Sequence, residues 1–125
     1  MNKSYLLDKA KQNIASSFKD WDDRPSYSTE IACSKLNTAC RQILYYWITY
    51  YTPNVCTSNT FIEMLEIVPD HFKDLKLFRV FTDNKEDIES WAYTTFSEKV
   101  VINHDKYSVV YHTIRDYIEH EQALR

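Results

Sequence analysis

The stretch Ser28–Pro53, "STEIACSKLNTACRQILYYWITYYTP", decides the fold, because neither proline nor glycine interrupts it before its last residue. Apolar residues recur in it every three or four positions, the spacing that places side chains on one face of an α-helix. Its second half is rich in β-branched and aromatic residues, which strands also favour, but the helical period continues through it. We therefore predict one long helix with these core residues: Ala32, Leu36, Ala39, Ile43, Trp47 and Tyr50.

The composition agrees with a helical protein. The chain has 125 residues, no glycine, and 44% hydrophobic residues. Glycine supplies the positive φ angles of tight hairpins and bulges, so its absence argues against a multistranded antiparallel protein. A chain of this length suits one domain with one core. We predict an all-α fold, a compact bundle of four to six helices, with residues 1–125 forming a single helical domain.

The N-terminal part of the chain contains a first helix and a break. Ser4 can cap this helix, and Pro25 disfavours a helical conformation at Arg24 in the stretch "DWDDRPS". The apolar stripe of the helix comprises Leu7, Ala10, Ile14, Phe18 and Trp21. The long helix should follow this break directly.

Shorter helices are predicted after the loop "TPNVCTSN". Thr60 and Glu63 match a capping box, and Pro69 should end that helix after Val68. The stretch "DHFKDLKLFRVFTDN" favours a short helix around residues 72–78 and an irregular link, with a brief strand as the alternative.

Two further helices complete the bundle. Asp83 and Glu86 resemble a second cap, before a helix that reaches to about Lys99. Its apolar face consists of Ile88, Trp91, Ala92, Thr95 and Phe96. After "VVINHD", a last helix runs nearly to the C-terminus. It directs toward the core Tyr107, Val110, Tyr111, Ile114, Tyr117 and Ile118.

Charge and cysteine content exclude several classes. The net charge is −3, so any RNA contact must be local, and no apolar run approaches the roughly 20 residues that span a membrane. Cys33, Cys40 and Cys56 show no C-x-x-C spacing and, with no signal peptide, predict reduced thiols in a cytoplasmic protein, the first two in the core. Without glycine there is no phosphate-binding glycine loop, so we expect no cofactor.

The closing stretch "IRDYIEH" carries the candidate chemistry. Arg115, the adjacent Asp116 and His120 resemble the R-x4–6-H motif of the HEPN superfamily, small helical domains of prokaryotic toxin and defence systems. The resemblance implies a metal-independent endoribonuclease that acts as a homodimer, with two copies of the motif at one cleft and often an antitoxin as partner. In this role His120 is the general acid or base, Arg115 holds the scissile phosphate, and Asp116 orients one of them.

The geometry of a straight helix bears on this motif. At 100° per residue, Arg115 lies about 100° to one side of the core direction and His120 about 120° to the other. A kink, a frayed end or pairing across a dimer is needed to join them. The alternative is that these residues form only the polar surface of the helix, without a catalytic role. Arg115 then pairs with Glu119, and His120 complements the helix dipole.

A second arrangement on the same helix could hold a divalent metal. His112, Asp116 and Glu119 cluster on its outer side, and His104 or His71 could supply a further ligand.

These sequence features are compatible with two alternative functions. In the first, an RNA-cleaving groove near His120 draws cations from Lys99, Lys106, Arg41 or Arg125. In the second, the chain is a non-enzymatic protein-binding module, such as a phage or mobile-element inhibitor or an immunity protein. Its ten tyrosines exceed the needs of a core and indicate a binding surface.

Overall fold

The computed structural model describes residues 4–23, 26–51, 60–92 and 104–124. Within these ranges it confirms the all-α prediction, since they contain six α-helices, one short 3-10 helix at Asp70–Phe72, and no strand. The α-helices are α1 Ser4–Asp23, α2 Ser26–Tyr51, α3 Phe61–Glu66, α4 Lys76–Asp83, α5 Lys85–Trp91 and α6 His104–Ala123. Their buried side chains form one hydrophobic cluster.

The long helix α2 lies at the centre and contacts α1, α3, α5 and α6. The predicted core positions from Ala32 to Trp47 are fully buried, but the prediction for Tyr50 is wrong, because its side chain is 44% exposed near the helix end. It still packs edge-on against Tyr46 and Phe72. A buried polar contact joins α2 to α5, where the Asn37 side chain donates to the carbonyl of Ile88.

Helix α1 packs along α2 and follows the predicted stripe with one exception. Leu7, Ala10 and Ile14 are buried, whereas Phe18 is 44% exposed, so its placement in the core was wrong. Ser17 takes the buried position instead. The Trp21 side chain and the Ser4 cap lie outside the described side chains, and the predicted break falls between α1 and α2.

The segment 60–92 differs most from its prediction. The Thr60 capping box is confirmed, since Thr60 and Glu63 exchange both hydrogen bonds, but α3 ends at Glu66, earlier than expected. The short helix predicted around residues 72–78 begins only at Lys76, after the 3-10 helix and a turn. A short helix is therefore present but begins later than predicted, and residues 60–92 contain no strand.

The second predicted cap is also wrong. Asp83 belongs to α4, and Asn84 separates α4 from α5 without a side-chain cap on α5. The Asn84 amide instead donates to the carbonyl of Val80 at the end of α4, 2.8 Å away. Ile88 and Trp91 are buried as predicted, and Ala92 is exposed at the end of α5. Thr95, Phe96 and Lys99 lie outside the described residues.

Helix α6 closes the bundle. Its predicted core positions are buried, with Tyr117 half-buried at their edge. Cys33 and Cys40 are buried free thiols, as predicted, and Cys56 lies outside the described residues. None of the described helices combines the length and apolar character that crossing a membrane requires.

Candidate functional site: two flanks of helix α6

Helix α6 presents two flanks on either side of its buried stripe. The α1-facing flank consists of Tyr107, Tyr111 and Gln122, which contact α1, together with Arg115, whose guanidinium lies over the Tyr111 ring. The α4-facing flank, which borders the start of α4, consists of Thr113, Asp116, Tyr117 and His120. Two of the three residues singled out in the motif therefore lie on one flank and the third on the other.

The α4-facing flank borders a groove of about 220 Å³, which we call the α4–α6 groove. Its lining combines apolar and polar side chains: Leu75, Lys76, Leu77, Thr113, Asp116, Tyr117 and His120. Asp116 and His120 are four residues apart and so neighbour each other on the helix surface. Lys76, the first residue of α4, also lines this groove.

Tyr117 forms a firmly supported wall of this groove. Its hydroxyl accepts a hydrogen bond from Trp47 Nε1 at 2.8 Å, and the two rings meet edge-on with centroids 5.6 Å apart. Trp47 packs in turn against Phe72 and Phe81. Burial raises the pKa of Tyr117 well above its ordinary value, and the hydrogen bond from Trp47 opposes this only in part. The phenol therefore stays protonated and can donate a hydrogen bond.

Arg115 lies outside the groove. Its guanidinium is 5.9 Å from the centre of the Tyr111 ring, and its Nη2 is 3.4 Å from Asp116 Oδ1. The expected pair with Glu119 is not formed within the described part of α6, because Arg115 contacts Asp116 instead. With side chains 43% and 68% exposed, this pair contributes at most about 1 kcal/mol.

The helix is continuous from His104 to Ala123, so no kink brings the two motif residues together. Asp116 and His120 share the α4–α6 groove, and Arg115 faces α1. The structure thus shows, within one chain, the separation that the helical period predicts.

The α1-facing flank is closed by direct contacts. The rings of Phe18 and Tyr111 stack with centroids 5.1 Å apart, and Tyr111 stacks on Tyr107 at 6.2 Å. Beneath them, the Ser17 hydroxyl donates to the carbonyl of Ala32 at 2.6 Å and lies 2.8 Å from the Tyr107 hydroxyl. Gln122 closes the far end, where it donates to Asp8 and accepts from Lys11.

The metal hypothesis is not supported by the described residues. Among them, no three His, Cys, Asp or Glu side chains lie close enough together to hold a metal ion, so His112, Asp116 and Glu119 do not form that site. The His112 ring packs against Tyr111. His71 packs against Phe72 in the 3-10 helix, and the His104 side chain is outside the described ones.

The two described cations of the four proposed for an RNA groove lie away from the α4–α6 groove. Lys106 pairs with Asp87 of α5 at 2.5 Å, and Arg41 lines a different cavity. Lys99 and Arg125 lie outside the described residues. The sequence pattern did not indicate Lys76, because only the packing of α4 against α6 places it beside the same groove as His120.

Comparison with protein-family models, curated proteins and solved structures found no match for this chain.

Proposed function

We propose that the chain is a HEPN-like helical domain that cleaves RNA in the cytoplasm without a metal ion, and that the α4–α6 groove is its active site. One observation carries the proposal: the ionisable and polar residues His120, Asp116, Lys76 and Tyr117 line the same groove. These are the group types that proton transfer beside a phosphate requires.

The proposed reaction uses the ribose 2′-hydroxyl as nucleophile. Neutral His120 accepts its proton while the 2′ oxygen bonds to phosphorus, and the bond from phosphorus to the 5′ oxygen breaks. The leaving 5′ oxygen takes a proton from water. Lys76 offsets the charge that develops on the phosphate oxygens, and Asp116, one turn before His120, orients the imidazole.

This assignment changes the role expected for Arg115. Within one chain, Lys76 is the cation that lies in the groove with His120, so Lys76 replaces Arg115 as the phosphate-binding group. The family resemblance also implies a homodimer, in which each copy carries its own α4–α6 groove.

The test is cleavage of a mixed-sequence RNA in the presence of a chelator. We expect cleavage by the wild type and a loss of about 100-fold or more in the His120→Ala variant, since a positioned acid or base contributes about that much. His112→Ala is the matched control, because His112 is exposed on the same helix but outside the groove. Equal folding is checked by circular dichroism and urea unfolding. Equal rates for the two variants would contradict the assignment.

A second function has its own supporting observation. Arg115 and His120 are separated in one chain, and the aromatic side chains of Tyr5, Phe18 and Tyr50 are about half exposed, which suits a non-enzymatic protein-binding module such as an inhibitor or immunity protein. Under this function the wild type cleaves no RNA, with or without divalent metal. A partner would then be retained by the wild type and released by a Phe18→Glu variant.

A further inference from the structure

A second groove is lined by residues of α3, of α4 and of the first turn of α5. It has a volume of about 330 Å³, and we call it the α3–α4 groove. Its described lining comprises Ile62, Leu65, Glu66, Lys73, Phe78, Thr82 and Lys85. This volume lies at the lower end of the range of small-molecule sites, roughly 300–1,000 Å³, so the groove suits a compact ligand.

Three apolar side chains line the groove. Leu65 is buried, whereas Ile62 and Phe78 are half-buried. Phe78 also packs against the hydrophobic core. Because Ile62 and Phe78 remain partly open to water, an apolar ligand body that covers them is stabilised by the loss of that contact.

Two lining residues, Glu66 and Lys85, carry charges of opposite sign. Glu66 is the last residue of α3, and Lys85 is the first residue of α5. Both are exposed, and among the described residues neither forms an ion pair, with each other or with any other side chain. A ligand that carries an ammonium group and a carboxylate can therefore pair with both without displacing a described partner.

The remaining polar residues of the lining already have partners. Lys73 Nζ lies 2.8 Å from Asp70 Oδ1, so the charge of Lys73 is offset within the chain. The Thr82 hydroxyl donates to the carbonyl of Phe78 at 3.0 Å, and its oxygen remains able to accept a hydrogen bond. Among the described lining residues, the unpaired charges therefore sum to zero, which favours a zwitterion over a simple anion or cation.

The helices that carry Glu66 and Lys85 are held together by contacts outside the groove. The backbone N–H of Phe61, the first residue of α3, donates to Glu89 Oε2 of α5 at 3.1 Å. Helices α3 and α5 also pack directly against each other. The two charged residues are therefore positioned by the fold before any ligand binds.

From this arrangement we propose that the α3–α4 groove binds a free α-amino acid with an apolar side chain. Its ammonium group pairs with Glu66, and its carboxylate pairs with Lys85. Its side chain covers the apolar lining residues. The inference does not depend on RNA cleavage, because the α3–α4 and α4–α6 grooves share no residue.

The test is calorimetric titration of the whole chain with L-phenylalanine and L-leucine. Three further probes each lack one feature: hydrocinnamate lacks the ammonium group, L-phenylalaninamide lacks the carboxylate, and glycine lacks the apolar side chain. We expect saturable one-to-one binding of at least one of the two amino acids, and binding roughly tenfold or more weaker for each of the three probes. Absence of saturable binding of both amino acids, or equal binding of any of the three probes, would overturn the proposal.

Variants then locate the site. Lys85→Gln and Glu66→Gln should each weaken binding roughly tenfold or more. Arg79→Gln is the matched control and should leave binding unchanged, because Arg79 is exposed on α4 outside the groove lining. Thr82→Trp, at an exposed position of α4, should fill the groove and abolish binding in a folded protein. Unchanged binding in Lys85→Gln or Glu66→Gln, or in a folded Thr82→Trp protein, would contradict the site.

Discussion

The two flanks of α6 differ in how far other side chains cover them. The α1-facing flank is closed by stacked rings and a buried hydroxyl pair, Ser17 with Tyr107, so that little of it remains open to a ligand. The α4-facing flank packs against α4 but leaves a groove beside the first turn of that helix, in which Asp116 and His120 are exposed.

The difference shows that two residues adjacent in sequence can lie on different surfaces of a helix and so belong to different sites. Asp116 follows Arg115 directly, yet the first lines the groove and the second leans on the ring of Tyr111. A linear motif on a continuous helix is distributed over different surfaces, and the element packed beside each surface decides which residues act together.

The largest expected effect tests the support of the α4-facing flank. Trp47→Ala removes a fully buried ring that contacts Phe72, Phe81 and Tyr117, so the free energy of unfolding should fall by about 3–5 kcal/mol. Urea unfolding measures this change. A loss below about 1 kcal/mol would show that the groove wall does not depend on Trp47.

A smaller loss is expected where the α1-facing flank is closed. Ser17→Ala removes the hydrogen bonds of Ser17 to the Ala32 carbonyl and to the Tyr107 hydroxyl, at roughly 1 kcal/mol each, so unfolding should become easier by about 2 kcal/mol. The double variant Ser17→Ala with Tyr107→Phe should lose less than the sum of the single variants, because they share one bond. Strict additivity would show that this bond contributes nothing.

Alkaline pH should weaken the same closed flank. Burial raises the pKa of the Cys33 thiol to about 12 from an ordinary value of 9.0, so the unfolded chain releases this proton first. Cys33 therefore supports stability fully below pH 9, and that support is lost as pH rises from about 9 toward 12. At pH 10 the loss is about 1 kcal/mol. A Cys33→Ala variant should show a correspondingly smaller drop between pH 8 and pH 10 in urea unfolding, and an equal drop would contradict the assignment.

The smallest effect is expected at the outer edge of the α1-facing flank. Phe18 stacks on Tyr111 but is 44% exposed, so Phe18→Ala should cost less than about 1 kcal/mol of unfolding free energy. Ile14→Ala, one turn earlier and buried, should cost about 2 kcal/mol or more. The comparison fails if the two substitutions cost the same.

Much of the fold was predictable because its main helices follow one period. The stripes of α2 and α6 and the Thr60 capping box depend on local spacing, and all three appear as expected except at Tyr50 of α2, which is 44% exposed. Phe18 was wrongly predicted to lie in the core, because the spacing of apolar residues gives no sign that a neighbouring hydroxyl group will be buried instead. Ser17 lies deeper than Phe18 since its hydroxyl finds two partners inside the bundle.

The segment between α3 and α5 shows why the rest was not predictable. Its short helices are separated by Asn84, whose amide satisfies a carbonyl of α4, and its register depends on packing rather than on a long stripe. The separation of Arg115 from His120 followed from the helical period. The position of Lys76 beside the same groove as His120 did not, because it depends on packing between helices far apart in sequence.

The central claim is that the α4-facing flank, and not the intact linear motif, forms the candidate active site. The most direct test compares chelator-resistant RNA cleavage by Lys76→Ala and Arg115→Ala proteins of equal folding and oligomeric state. We predict a loss of about 100-fold for Lys76→Ala, as expected for removing a group that stabilises transition-state charge, and a change of less than about threefold for Arg115→Ala. A large loss in Arg115→Ala with full activity in Lys76→Ala would contradict the claim and return the site to the motif.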